Sequence, residues 1–301
     1  MKKSEKVREI YRMINKAHPM KGFVLMGGSA GAFCVMASLI KYASFLDPYR
    51  TTLFRFVIGL GLLGVAALFG KLKLQFVNGW LLFSRGLSGG AGVFFLFLSI
   101  MKLGIAKGTI ISYSYPVFAS IMSVLFLKER IGVLKWGAIA IAFVGIFLLK
   151  SEGEGMTMFI KFGKYETLAV VGAIFSGIAV VSIKRLHETD STYAIFFAQC
   201  VVGLWLMIIP ANLVPRAIGY FGGILLLGIG IFATVGQLLM TEGYRYLSLT
   251  SGSLLSMLVP VLNFFAGVVV FHEHLSLWAI VGSILVLTSC IAVTVDRENS
   301  G

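Results

Sequence analysis

Charge is what this 301-residue chain most lacks. Only 13% of its positions are Asp, Glu, Lys or Arg, against about 25% in an ordinary soluble domain. Hydrophobic residues make up 58%. A water-soluble fold would then have too little polar surface to cover itself, so lipid is the expected solvent. Cysteine is also sparse. Cys34, Cys200 and Cys290 lie inside apolar runs, odd in number and without metal-ligand spacing, and read as buried thiols. Of the four histidines (His18, His187, His272 and His274), only His272-Glu273-His274 hints at a metal. Two histidines at i, i+2 point to different helix faces, which argues against one. Alternation of period two is missing, which argues against a barrel. No Gly-rich phosphate loop ending in Lys-Ser/Thr is present, so a gradient rather than a nucleotide is the expected energy source, and no cofactor is implied.

What the chain does have is a succession of apolar runs: 22–40, 49–69, 79–101, 105–127, 132–149, 166–184, 191–210, 220–241, 246–271 and 276–295. A span needs about 20 residues, because a helix rises about 1.5 Å per residue and the hydrocarbon is about 30 Å thick. Helices satisfy their own backbone hydrogen bonds, as lipid demands. The expected fold is an all-α membrane protein of ten transmembrane helices. Many of its 35 glycines sit inside these runs, where they permit close helix approach; Gly27/Gly31 and Gly86/Gly90 have the spacing for it.

Residues 1–21 carry Lys2, Lys3, Lys6, Arg8, Arg12, Lys16 and Lys21 against Glu5 and Glu9. Val7, Ile10, Tyr11 and Ile14 follow helical spacing, so this basic cytoplasmic stretch is either an amphipathic helix on the inner leaflet or a solvated tail. The positive-inside rule puts it in the cytoplasm, and ten spans return the carboxyl end, 296–301, to the same side. That orientation has 16 Lys and Arg inside and 8 outside. Without the first seven the balance is 9 to 8, so the orientation leans on the basic start.

A duplication is the most specific feature. A shift of 144 superimposes Leu103 on Leu247, Gly108 on Gly252, Ser112 on Ser256, Pro116-Val117 on Pro260-Val261, and Glu129 on Glu273. A shift of 143 aligns Lys41 with Lys184, Asp47 with Asp190 and Phe54 with Phe197. The repeats are 22–150 and 166–295, joined by a linker at 151–165. Five spans each is odd, so the second repeat enters the membrane from the opposite side. Inverted repeats of this kind suit alternating access about a midplane site.

These residues resemble a known family. Tyr115-Pro116-Val117-Phe118 followed by Leu127-Lys128-Glu129-Arg130 looks like the end of the fourth helix of EamA-type drug/metabolite transporters. Gly236-Gln237-Leu238-Leu239, Val259-Pro260-Val261 and Glu273 resemble its second-half counterpart, and Arg55-Phe56 its second-helix arginine. Arg85-Gly86 is similar to a subgroup that includes riboflavin and S-adenosylmethionine importers. The sequence departs at His272-Glu273-His274, where the family more often has Gly-Glu. The resemblance implies two EamA domains and a central cavity lined mainly by the third, fourth, eighth and ninth helices, with the first and sixth.

Charges inside spans are the best pointers to function, each costing at least about 2.5 kcal/mol at the bilayer centre. Arg55 and Arg85 lie well inside the second and third runs, and no carboxylate sits at comparable depth; Glu242 comes nearest. Backbone carbonyls and cavity water must satisfy them, or an anionic substrate does. The shifts set Arg55 against Ala198 and Arg85 against Ile229, so neither is duplicated. That asymmetry suits ligand recognition, with a snorkelling or carbonyl-capping arginine as the rival. Ser112, Tyr113, Tyr115, Ser256 and Asn263 cluster near the prolines, and Gln237 and Ser29 complete the candidate substrate-binding set. Pro116 and Pro260 are expected to kink their helices, and Glu129 and Glu273 to meet helix starts, as structural or gating residues. Phe94, Phe95 and Phe97 read as packing or lipid-facing.

The expected function is a secondary transporter moving a small anionic or zwitterionic metabolite across the cytoplasmic (inner) membrane. A multidrug or lipid-like exporter or flippase of the same fold is the alternative. A membrane enzyme would need clustered nucleophile, base or metal ligands at depth, and none is evident. The expected partners are a small-molecule substrate and the lipid bilayer, with no nucleic acid, in a monomer or homodimer.

Overall fold

The computed structural model describes residues 19–70, 72, 74–127, 132–148, 163–213, 218–271 and 277–298. Residues 1–18 of the basic stretch, most of the linker, and both Glu129 and Glu273 lie outside them. The described residues form helices and no strand. In chain order these are α1 (Pro19–Tyr42), α2 (Pro48–Leu68), α3 (Gly79–Leu103), α4 (Ile105–Ser112), α5 (Tyr115–Met122), α6 (Val133–Leu148), α7 (Lys164–Leu186), α8 (Thr192–Asn212), α9 (Tyr220–Tyr246), α10 (Leu249–Ser256), α11 (Leu258–Phe271) and α12 (Leu277–Glu298). A wider π turn, Ser123–Leu127, prolongs α5. Seven segments are long and apolar enough to cross a membrane: α1, α2, α3, α7, α8, α9, and α10 with α11 taken as Leu249–Phe271. Three apolar stretches are shorter: Tyr115–Leu127, Trp136–Gly145 and Ile280–Ser289.

Helix starts are set by side chains that accept orphan backbone hydrogens. Asp47 accepts from Arg50 N to start α2, Asn78 from Leu81 N to start α3, Ser191 from Ala194 N to start α8 and Ser248 from Ser251 N to start α10.

The expected kinks become breaks. Helix α4 stops at Ser112, and α5 restarts at Tyr115 with Pro116 in its first turn. Helix α10 stops at Ser256, and α11 restarts at Leu258 ahead of Pro260. A proline lacks an N–H and its ring excludes the carbonyl four residues back. Those carbonyls belong to Ser112 and Ser256, the last residues before each break.

Packing is reciprocal. The third helix of each half lies against the first of the other, α3 on α7 and α9 on α1. The second helices, α2 and α8, touch each other and the third helix of the opposite half, while α6 and α12 pair at one side. Duplicated glycines repeat one close approach: a Cβ on Gly108 would press on the Ser99 backbone, and one on Gly252 on the Tyr244 ring. Gly86 and Gly90 let α3 close on α8 at Ala198 and Gly203. Gly27 and Gly31 do not behave as expected, for they face open space and make no close approach.

Helix ends are tied across the fold. Lys21 donates to Tyr246 OH at 3.0 Å, Lys184 to the carbonyls of Tyr244 and Leu247, and Val77 N to Asp190 at 2.7 Å. Away from these, Arg50 Nε donates to the Ala211 carbonyl at 3.0 Å, and Lys41 lies 3.8 Å from the centre of the Phe271 ring.

Candidate functional site

A cavity of about 80 Å³ sits among the helices of both halves. Phe33 and Met36 of α1, Val93 and Leu96 of α3, and Ala179 and Val180 of α7 give it apolar walls. Arg55, Arg85, Ser112, Tyr113, Tyr115, Ser176, Gln199 and Gln237 are the polar residues that reach it.

Both arginines are buried. Arg55 Nη2 donates to Gln237 Oε1 at 3.2 Å, and Arg85 Nη2 to Gln199 Oε1 at 2.9 Å. Each pair ties the second helix of one half to the third helix of the other. The arginine comes from the first half both times and the glutamine from the second. Arg55 also stands 5.5 Å from the centre of the Phe97 ring and 5.9 Å from that of Phe56, where ring faces favour a cation. The aromatic stretch thus packs inward at Phe94 and Phe97. Arg85 folds back along its own helix into the space left by Gly89; a Cβ there would collide with its Nη1. Among the described residues Arg85 Nε and Nη1 are buried without a hydrogen-bond partner, as is the hydroxyl of Ser112.

The remaining candidates divide. Tyr113 and Tyr115 line the cavity, but the Tyr115 hydroxyl is spent on Ser256 Oγ at 2.5 Å, with Tyr244 OH 3.4 Å away. Ser256 is thereby closed off from the cavity by Tyr115. Asn263 Nδ2 donates to Thr109 Oγ1 at 3.3 Å, and Ser29 donates to the Gly236 carbonyl at 2.8 Å. Ser29, Ser256 and Asn263 join helices and do not line the cavity. The implied lining is corrected in the same way. No residue of α10 or α11, the ninth run, borders the cavity, whereas α2 and α8 each contribute a polar side chain. The reason is steric and polar at once: Tyr115 and Thr109 occupy the groups that the ninth run would offer.

Gln199 was missed in the sequence, although its signal was present as an amide in the middle of an apolar run. Glu242 has no part in the cavity. It accepts from Thr192 Oγ1 at 2.5 Å and Tyr246 OH at 3.1 Å, with Arg245 at 3.6 Å, beside a second hollow of about 500 Å³. Nearby His187 is buried at the end of α7 and meets the Thr241 carbonyl at 2.7 Å. A carbonyl only accepts, so Nε2 carries the hydrogen. Burial pushes the imidazole down to about 4, against the pull of that carbonyl and of Glu242. Among the described residues no group of three His, Cys, Asp or Glu could hold a metal.

Long apolar helices around a small cavity with buried cations define a multi-pass membrane protein of the transporter class. The EamA-like transporter family matches residues 20–151 and again 163–295, and the chain belongs to that family. It is 28% identical over 288 residues to the pseudopaline exporter CntI of Pseudomonas aeruginosa, covering 93% of this chain and 98% of that one. It is 26% identical to a riboflavin transporter of Vibrio cholerae, covering 76% and 78%. To solute carrier family 35 member G1 of Mus musculus it is 22% identical, covering 91% and 78%. A solved crystal structure superposes with a TM-score of 0.75 over 92% of this chain and 98% of that chain, at 16% identity, which bears on the fold alone.

Proposed function

We propose that the protein is a secondary transporter that carries a small anionic or zwitterionic metabolite across the cytoplasmic membrane by alternating access. One observation carries the reading: two buried arginines face a central cavity whose lining, among the described residues, contains no acid. A cation that cannot shed its proton is costly there unless something anionic visits it.

The architecture we infer is ten spans in two inverted five-helix repeats, 22–150 and 166–295, with both termini cytoplasmic. The ties between helix ends support it. The start of α1 meets the end of α9 through Lys21 and Tyr246, and the end of α7 meets the same region through Lys184 and Leu247. Equivalent helices α1 and α7 thus run in opposite directions. Rocking of one half against the other would break and remake the Arg–Gln pairs, which bridge the halves.

Counterflow in proteoliposomes, with charged and uncharged ligands compared, tests the assignment. Arg85→Ala is expected to insert normally and lose flux of an anionic or zwitterionic substrate. Wild-type flux in that variant, or a preference for apolar cations, would favour the multidrug or lipid-exporting alternative instead.

A further inference from the structure

The charge around the cavity is unbalanced by two. Arg55 and Arg85 are 3% and 2% exposed, and both line the cavity. Their partners there, Gln237 and Gln199, are neutral amides. Among the described residues neither guanidinium has a carboxylate within ion-pair distance. Guanidinium stays protonated in proteins. Two positive charges therefore share one small, largely apolar chamber, where an uncompensated charge is costly. The unused hydrogen-bonding capacity has the same sense. Arg85 Nε and Nη1 can only donate, and the Ser112 hydroxyl has a hydrogen to give. A ligand that completes this site brings acceptor oxygens and negative charge.

We propose that the cargo is a small organic dianion, carrying either two carboxylates or one phosphate monoester, whose charge matches Arg55 and Arg85 together. The inference rests on the transport reading above and narrows it. A monoanion leaves one guanidinium uncompensated, and a zwitterion leaves one and adds a cation of its own. Both arginines come from the first half, on α2 and α3, so the dianion is held mainly by that half. The second half supplies the amides, which can hand the guanidinium hydrogens over to it.

The test uses the purified full-length protein at pH 8 and constant ionic strength. Thermal stabilisation is read with succinate, monomethyl succinate, dimethyl succinate and methyl phosphate, and with chloride alone. Saturable stabilisation by succinate or methyl phosphate is expected, with monomethyl succinate at least tenfold weaker and the diester inert. Arg55→Gln should narrow the gap between succinate and its monoester to within about threefold, while Arg55→Lys keeps it. Equal binding of succinate and its monoester, no stabilisation by either dianion, saturation by chloride alone, or unchanged discrimination in Arg55→Gln overturns the proposal. Stabilisation by alanine or monomethyl succinate but by neither dianion removes the dianion while leaving an anionic or zwitterionic cargo standing. Stabilisation by tetraphenylphosphonium only would remove both.

Discussion

Gly89 matters because of what it leaves empty. Its missing side chain is the room into which Arg85 folds, so Gly89→Ala should force the guanidinium off Gln199. Flux is expected to fall at least tenfold with unaltered membrane insertion, measured in proteoliposomes beside size-exclusion profiles. Gln199→Leu probes the other partner. It strips a buried cation of its only hydrogen bond among the described residues, at a cost of about 1–3 kcal/mol, which thermal unfolding in detergent would register. His187 gives a pH signature. Its folded value of about 4 lies below its ordinary 6.5, so the unfolded chain takes up a proton first as pH falls. Stability from this residue is complete above about 6.5 and is lost between there and about 4. Glu242, Lys184 and Arg245 face the same imidazole, so the loss is assigned by its disappearance in His187→Gln.

At this scale the sequence pointed to most of the polar residues that line the cavity. Arg55, Arg85, Ser112, Tyr113, Tyr115 and Gln237 were visible as polar residues stranded in apolar runs, and all six reach one cavity. Ser29, Ser256 and Asn263 gave the same signal and ended in bonds between helices. Polarity inside lipid says that a group needs a partner; it does not say whether that partner is protein or ligand. Only three-dimensional packing separates the two, and it also revealed Gln199.

Among elements, the two broken helices repay comparison. Each breaks two or three residues before a proline, yet the breaks are used differently. Ser112 at the first has no partner among the described residues and faces the cavity, whereas Ser256 at the second is held by Tyr115. Removing that hold with Tyr115→Phe is expected to lower stability by about 1 kcal/mol and free the Ser256 hydroxyl, as read by thermal unfolding. Local chemistry foretold the breaks, because a proline's effect reaches only four residues. Which serine would be orphaned depended on a tyrosine 141 positions away, beyond any local rule.

For the whole molecule, the reciprocal packing of first and third helices makes opposite insertion of the halves testable. The turn after α1 and the turn after α7 are equivalent in the repeat. Exposed Ser44 and Glu188 occupy them. Ser44→Cys and Glu188→Cys, in a background lacking the native thiols, are expected to react with a membrane-impermeant maleimide from opposite sides. Labelling of both from one side would exclude inversion.

The crossed pairing of arginine with glutamine has a bearing on ancestry. Two identical copies of the first half, assembled about a twofold axis, would crowd four guanidinium groups into one chamber with no amide to receive them. Two copies of the second would offer amides and no cation. A single polypeptide holding two dissimilar copies escapes both outcomes, so each half has become irreplaceable by its sibling.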